Sequence, residues 1–511
     1  MANWLLTIGL LTFWFYCLLP QSKNPKEDNL LDEHAWSWES IEPSSELAWH
    51  QCFDEFDCAR LEVPLDWLEP TNSSKVVLAV LRKNATSKVD YKGPLFINPG
   101  GPGGSAVRTV KDRWKAIHVS VGSNHDIIGF DPRGIGATTP SAHCWNEPQE
   151  ERIWKIQGLG LVDSHPGMIY DLYARQSADS KHCEATIGDL SRFLGTVSVA
   201  RDMLEILNKL GYEKLRYWGI SYGTVIGGTF AAMYPDKIER LVSDGNVNYS
   251  EWYNGTGIHY TEDTDKVMLA FFEFCHAAGP QNCAFYSSTP AAIQRRLEDI
   301  YAKLRRYPLQ VFSYTNNTVE LQSLGITRPK VITYSEVKNA VIYSLYQPLL
   351  FFPQLAEALA SLEVDDGIPF LKMAVARGYI PPSFSCGCDS PTCEDMSGWP
   401  LEAVGNEDAA VYVKCGEGNP DVNRGRVPCR PLLCLIFACH VPGGRRGLNG
   451  ILLARLNKNT SAPILFIGNS ADNITPLGSA IHNSHFFPGS SVFDTEFLWS
   501  HIHIMPVKMH R

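Results

Sequence analysis

Gly219-Ile220-Ser221-Tyr222-Gly223 is the stretch of this 511-residue chain where residue types and spacing most directly suggest nucleophilic chemistry. A serine hydroxyl is a weak nucleophile until a base takes its proton and donors receive the charge that develops on the attacked carbonyl oxygen. The flanking residues address both needs. Leu215-Arg216-Tyr217-Trp218 reads as a strand and Thr224 to Met233 as a small-residue helix. Ser221 is therefore predicted on a sharp strand-to-helix turn, with its Oγ raised clear of the sheet. Glycine at 219 and 223 lets neighbouring backbone pass close, and the helix start aims free N–H groups and a positive dipole end at the reacting oxygen. The pattern also arises by chance, so it needs partners elsewhere in the chain.

Two stretches are candidates for that partnership. In Gly93 to Ala106, GPLFINPGGPGGSA, a buried strand (Pro94 to Ile97) runs straight into a turn holding Gly100, Gly101, Gly103 and Gly104. Backbone N–H groups can approach a tetrahedral oxyanion only where no Cβ blocks them, which is what such a loop offers. A phosphate-binding loop is the rival reading, but the lysine and Ser/Thr of that motif are absent. In Ala462 to Asp472, APILFIGNSAD, a late strand ends in an acid ahead of Asn473-Ile474-Thr475-Pro476. That is the place of the orienting carboxylate in a Ser, Asp, His order, where it fixes the histidine tautomer. An aspartate before Thr-Pro is also ordinary turn chemistry.

These residues need a scaffold, and the chain reads as one. Strands are predicted at Ala59 to Trp67, Lys75 to Arg82, Pro94 to Ile97, in His125 to Gly136, at Leu215 to Trp218 and at Ile238 to Val242. Val197 to Leu210 is a helix by its apolar spacing, stopped at Gly211. Asp131 and Arg133 are expected to pair and brace their turn, and Cys144 and Cys183 to flank a polar, loop-like excursion. The order predicts an α/β fold with a mostly parallel sheet. From about Asn246 to Asn406 the pattern turns helical and aromatic, which reads as an inserted helical cap because the sheet resumes near Ala462. An independent helical domain is the alternative. Phe271, Phe272, Tyr343, Tyr346 and Phe351 belong mostly to the cap's core, a few of them to an apolar side-chain pocket.

A net charge of −10 and a pI near 5.9 argue against a nucleic-acid partner. Trp4 to Leu19 is a charge-free apolar run, short for a membrane span. Residues 1–20 are read as a signal peptide or, second, a signal anchor, the one case in which the chain contacts a membrane. Sequons at Asn72, Asn84, Asn248, Asn254, Asn316, Asn459 and Asn473 agree with secretion. So do close cysteine pairs such as Cys52/Cys58 and Cys275/Cys283. Cys386, Cys388 and Cys393 invite a zinc reading, but no second ligand pair follows at zinc-finger spacing, so disulfides are preferred and no metal is assigned.

Taken together, NPGGPGGSA (98–106), DIIGFDPRGIGATTP (126–140), GISYG (219–223) and ADNITP (471–476) resemble the tripeptidyl-aminopeptidase-like serine peptidases of the α/β-hydrolase superfamily, relatives of the proline iminopeptidases. The resemblance runs from about Ser45 to Gly489. It implies an α/β-hydrolase core at 45–245 and 407–511 with a cap at 246–406, secretion, no cofactor, and release of short peptides from free N-termini. It further implies Ser221 as nucleophile, Asp472 as acid, and Gly101 with Tyr222 as oxyanion donors. The sequence departs from the family pattern at 415–460 and at 491–511. The family's histidine sits in a Gly-His step after the last strand, and no such step follows Phe487-Pro488-Gly489-Ser490 here. His501 falls closest to the expected place, with His503 two residues on. For the ammonium of a peptide substrate Glu251 and Glu262 are the cap carboxylates considered, although a surface salt bridge is the plainer reading of either. Two alternatives stay open: an esterase with the same triad, and a hydrolase fold that only binds.

Overall fold

The computed structural model describes residues 36–377 apart from 72, 146, 159, 313–317 and 327, together with 456 and 459–495. The apolar segment 4–19, Cys386 to Cys393, the atypical stretch 415–455, and His501 and His503 lie outside the described residues, as do Asn72 and Asn316. Trp38–Ser40 forms one 3-10 turn in a unit that ends at Ser40, and the unit from Ile41 onward holds the sheet, the helices and the candidate site.

Nine strands form one sheet among the described residues: β1 (His50–Cys52), β2 (Phe56–Pro64), β3 (Lys75–Lys83), β4 (Gly93–Asn98), β5 (His125–Phe130), β6 (Leu215–Ile220), β7 (Ile238–Asp244), β10 (Ile464–Asn469) and β11 (Ser491–Thr495). Their order is β1-β2-β3-β5-β4-β6-β7-β10-β11. β1 to β3 join antiparallel, as does β3 to β5, and every pairing from β5 through β11 is parallel. β4 and β5 are buried along their whole length, as strands covered on both faces must be. β11 is exposed along most of its length and is not among the strands expected from the sequence, because Ser491-Val492-Phe493-Asp494-Thr495 carries no buried face to impose a pattern.

Helices connect and cover the strands: α1 (Ala106–Val121), α2 (Pro148–Ile156), α3 (Met168–Ile187), α4 (Thr196–Lys209) and α5 (Tyr222–Met233). Residues 144–183 are thus largely helical rather than the expected loop, and a Cys144–Cys183 disulfide closes them. Cys52–Cys58 and Cys275–Cys283 are also bridged. α5 is buried from Tyr222 to Ala232 and packs with a face of glycine. A Cβ on Gly227 would meet the Tyr217 ring at 2.8 Å and one on Gly228 the Tyr249 ring at 2.5 Å, so those two tyrosines sit where larger helix residues would exclude them.

Between β7 and β10 lie α6 (Tyr249–Asn254), α7 (Thr264–Ala278), α8 (Pro290–Arg306), α9 (Thr318–Ser323), α10 (Tyr334–Ser344), α11 (Pro348–Glu363) and α12 (Ile368–Ala376). A short antiparallel pair, β8 (Leu309–Val311) with β9 (Lys330–Ile332), accompanies them. Helix α13 (Leu477–Ser484) links β10 to β11. The described residues form two apolar clusters, one around the sheet and one within the α7–α12 segment. Phe271 and Phe272 belong to the second, while Tyr343 is half exposed.

Asp131 and Arg133 do not pair, contrary to expectation. Arg133 is fully buried and bonds Asp202 of α4 through Nε at 2.6 Å and Nη2 at 2.7 Å. Its Nη1 donates to the Leu65 carbonyl, and Nη2 donates also to that of Pro64 at 2.8 Å. Trp67 Nε1 gives Asp202 a further bond at 2.7 Å. A buried pair is tolerated only when its lone pairs and protons are satisfied, and α4 offers an acid that Asp131, occupied elsewhere, does not.

At the opposite end of the sheet, His118 and His125 are both buried, and burial pushes both imidazoles below their ordinary value. Each uses a ring nitrogen on a backbone oxygen, His118 Nε2 on His125 O at 3.1 Å and His125 Nδ1 on Gly93 O at 3.2 Å. Above the unfolded value of about 6.5 both states are neutral there and these groups leave stability unchanged. As pH falls through that value, the unfolded chain takes up protons the folded chain refuses. Stability should therefore decline toward the depressed folded values, by at most about 1.4 kcal/mol per pH unit for each imidazole. Melting curves from pH 7.5 to 5.5 check this: the slope should be shallower in His118→Gln than in the parent, and equal slopes would refute it.

Candidate active site

β6 ends at Ile220, and the chain reverses into α5 through Ser221, whose φ of 55° and ψ of −123° put a non-glycine residue in a sparsely populated conformation. The surroundings over-determine it. Ser221 N–H donates to Asp244 O at the end of β7 (3.0 Å), and Ser221 O accepts from Thr224 N (2.8 Å) and Thr224 Oγ1 (2.6 Å). The flanking glycines are required by contact: a Cβ on Gly219 would stand 2.3 Å from Gly223 O, and one on Gly223 would stand 2.6 Å from Asn98 O. Ser221 itself is partly accessible.

The glycine-rich loop lies against this turn. A Cβ on Gly100 would stand 2.3 Å from Ile220 O, 2.8 Å from Tyr222 N and 2.9 Å from Ser221 Cβ. The loop's internal bonds narrow its donor set. Gly100 N–H is held by Asn98 Oδ1 at 2.9 Å and Gly104 N–H by Gly100 O at 3.0 Å, while Pro102 has no N–H. Among the described residues, that leaves the amides of Gly101 and Gly103. Tyr222 is buried, its hydroxyl 2.7 Å from Thr196 Oγ1 and its ring 5.0 Å from that of Trp252. Asn98 escaped the sequence reading; its signal is a polar residue closing a strand that is otherwise apolar.

Asp472 follows β10, two strands along from β6. Ile220, Asp244 and Ile467 are in register, so the ends of β6, β7 and β10 share one edge. Two strand spacings make a lateral separation of about 10 Å, the kind of gap an imidazole bridges. Asp472 is 2% exposed, and its carboxylate accepts from Ile474 N (2.9 Å), Thr475 N (2.9 Å) and Thr475 Oγ1 (2.8 Å). The ordinary Asx-type turn weighed from the sequence is therefore present. β11 pairs in parallel beyond it, Thr495 opposite Asn469, so β11 ends at the same edge.

The α7–α12 segment touches this edge at the acid. Thr264 Oγ1 donates to Asn473 O at 2.7 Å, and Ala471 packs against the segment's apolar cluster. Tyr346 is pushed up to about 12, by burial first and then by the charges of Tyr343 and Asp472. Glu251 is buried, with Oε2 accepting from His259 N at 3.1 Å and Oε1 bonded to His259 Nδ1, which raises that imidazole above its usual value. The bridge considered for Glu251 is therefore present, and it joins a buried carboxylate to an exposed histidine. Glu262 is exposed, its carboxylate beside Gly478 in the first turn of α13.

Sheet order, a strand-turn-helix at Ser221 and an acid after a later strand define a class: the chain has the α/β-hydrolase fold. Residues 93–327 match the family described as alpha/beta hydrolase fold. The chain is 32% identical over 223 residues to tripeptidyl aminopeptidase of Streptomyces lividans, covering 40% of each protein. It is 32% identical over 192 residues to serine protease Hip1 of Mycobacterium tuberculosis, covering 37% of this chain and 36% of that one. Carboxylesterase B of the same organism is 33% identical over 148 residues, 29% of this chain and 27% of that one. The matches thus span about two fifths of the length of the first of these relatives.

Proposed function

We propose that this chain is a secreted serine hydrolase that releases short peptides from free N-termini through an acyl-enzyme. Ser221 attacks the scissile carbonyl, and Gly101 and Tyr222 N–H receive the oxyanion. His501, oriented by Asp472, takes the serine proton and returns it to the leaving amine. A water assisted by the same imidazole then releases the acyl group. The supporting observation is the close packing of a positive-φ serine turn against a glycine loop in which, among the described residues, the amides of Gly101 and Gly103 are uncommitted. For the histidine, six residue-to-residue steps link Thr495 to His501. Extended, they reach about 20 Å, more than the roughly 14 Å from β11 across to β6. The peptidase choice leans on the two peptidase relatives; the esterase reading has support from the carboxylesterase.

Labelling with a fluorophosphonate probe tests the reading. The parent should label, Ser221→Ala should not, and His501→Ala should lose labelling while His503→Ala keeps it. Loss in His503→Ala alone would move the base to that residue. A well-folded parent that does not label would make ligand binding the leading function. Panels of N-terminally free peptides, N-blocked peptides and simple esters then separate aminopeptidase from esterase.

Secretion carries its own expected result. Asn84, Asn254 and Asn459 are exposed, whereas Asn248 and Asn473 are buried. Asn248 Oδ1 caps α6 by accepting from Glu251 N at 3.0 Å. A glycan at either buried site has no room in the folded chain. Peptide mass spectrometry of protein from a eukaryotic secretory host should find occupancy at 84, 254 and 459, and none at 248 or 473.

A further inference from the structure

We propose that Asp131 is a positioning residue for the oxyanion loop, acting through Ser105 and the first turn of α1. The inference rests on the hydrolase reading, in which the loop at 100–104 supplies the N–H donors. A loop built from four glycines has little rigidity of its own, so where its amides point is decided by how its ends are held. One end is held by Asn98, through Gly100 N–H. The other end is Ser105, and the group that holds it is a carboxylate from a different strand.

Asp131, just past β5, is 1% exposed. Its Oδ1 accepts from Ser105 Oγ at 2.8 Å and Val107 N at 3.1 Å, and its Oδ2 from Ala137 N at 3.0 Å. Ser105 follows Gly104 directly, and its Oγ in turn accepts from Arg108 N at 3.0 Å as the N-cap of α1. The same aspartate is tied behind: its carbonyl accepts from Thr138 Oγ1 at 2.6 Å, and that oxygen accepts from Ala79 N of β3 at 3.0 Å. Gly136 makes room for the carboxylate, since a Cβ there would stand 2.1 Å from Asp131 Oδ2. The loop's exit is thus fastened through Asp131 to two strands of the sheet.

The chemistry of the partners specifies the side chain. Ser105 Oγ–H, Val107 N–H and Ala137 N–H are all donors, so they need a group that only accepts. In Asp131→Asn an amide NH2 must face one of them, and either α1's first turn or the 137 turn moves. A shift of about 1 Å in the donors is enough to cost on the order of 100-fold in rate.

The test compares first-order fluorophosphonate labelling rates, well below the melting midpoint, for the parent, Asp131→Asn, Ser105→Ala and Ser105→Thr. A variant that is merely destabilised labels fewer molecules at the parental rate constant. A mispositioned loop slows the rate constant itself. Asp131→Asn and Ser105→Ala should label about 10- to 100-fold more slowly, and Ser105→Thr, which keeps the hydroxyl, within about threefold of the parent. Parental rate constants in Asp131→Asn would overturn the inference. So would parental rate constants in Ser105→Ala, should Asp131→Asn not fold. A parent that does not label at all would overturn the hydrolase reading, and this inference with it.

Discussion

Replacing Ser221 by glycine should abolish turnover and leave a protein that melts above the alanine variant. Both substitutions remove the nucleophile, and on the hydrolase reading turnover falls by about 10⁴-fold or more in each. They differ in the backbone. Ser221 holds φ at 55° and ψ at −123°, a conformation that costs a residue with a Cβ about 1–3 kcal/mol. Ser221→Ala keeps that strain. Ser221→Gly removes it and gives back about 0.5–1 kcal/mol through the freedom glycine gains when unfolded. The glycine variant should therefore be more stable by about 1 kcal/mol. Calorimetry of the two inactive variants, side by side, isolates strain from chemistry; a glycine variant melting at or below the alanine variant would show that the turn is not strained.

Gly100→Ala should be the most damaging single methyl in the loop. Its Cβ would stand 2.3 Å from Ile220 O and 2.9 Å from Ser221 Cβ, on a backbone whose φ of +88° already disfavours a side chain. Two of the three nearest atoms, Ile220 O and Tyr222 N, are backbone, so no side chain can swing away to accommodate it. The loop must lift from the serine turn, taking the Gly101 amide with it, and turnover should fall by about 100-fold or more with lowered stability. Gly211→Ala is the matched control. It has a similar φ of +79° but open space around the added methyl, so it should cost about 1–2 kcal/mol of stability and leave kcat unchanged. Equal activity in Gly100→Ala and the parent would mean that the loop does not face the reacting atoms.

The local signals in the sequence were readable because their causes are local. Glycines at 219 and 223, small residues along the following helix and an apolar run entering a glycine turn each report a backbone that must bend or approach closely. Alternation and apolar runs mark the strands, and their order with the intervening helix implies a mostly parallel sheet. β11 was missed because an exposed edge strand has no burial to pattern it. The helices between Cys144 and Cys183 were missed because their surfaces are largely polar.

Partnership between distant residues is not written locally. Asp131 and Arg133, two residues apart, were expected to pair. Folding sends the arginine to Asp202, 69 positions away, and turns the acid to the start of α1. Glu251 passes for a surface charge in sequence; in the fold its carboxylate is buried and bonded to His259, whose ring stays exposed. Asn248 and Asn473 match the same short pattern as Asn84, and only burial separates them. By itself, then, the chain determined the turn at Ser221, the glycine loop and the acid after the late strand, because each is written in a few consecutive residues under a steric constraint. The tertiary structure alone decided that Gly100 meets Ser221, that three strands in register bring the Asp472 loop to the same edge, and which buried charges satisfy one another. Those outcomes depend on residues far apart in sequence arriving at one place, where the choice is made by desolvation and close packing.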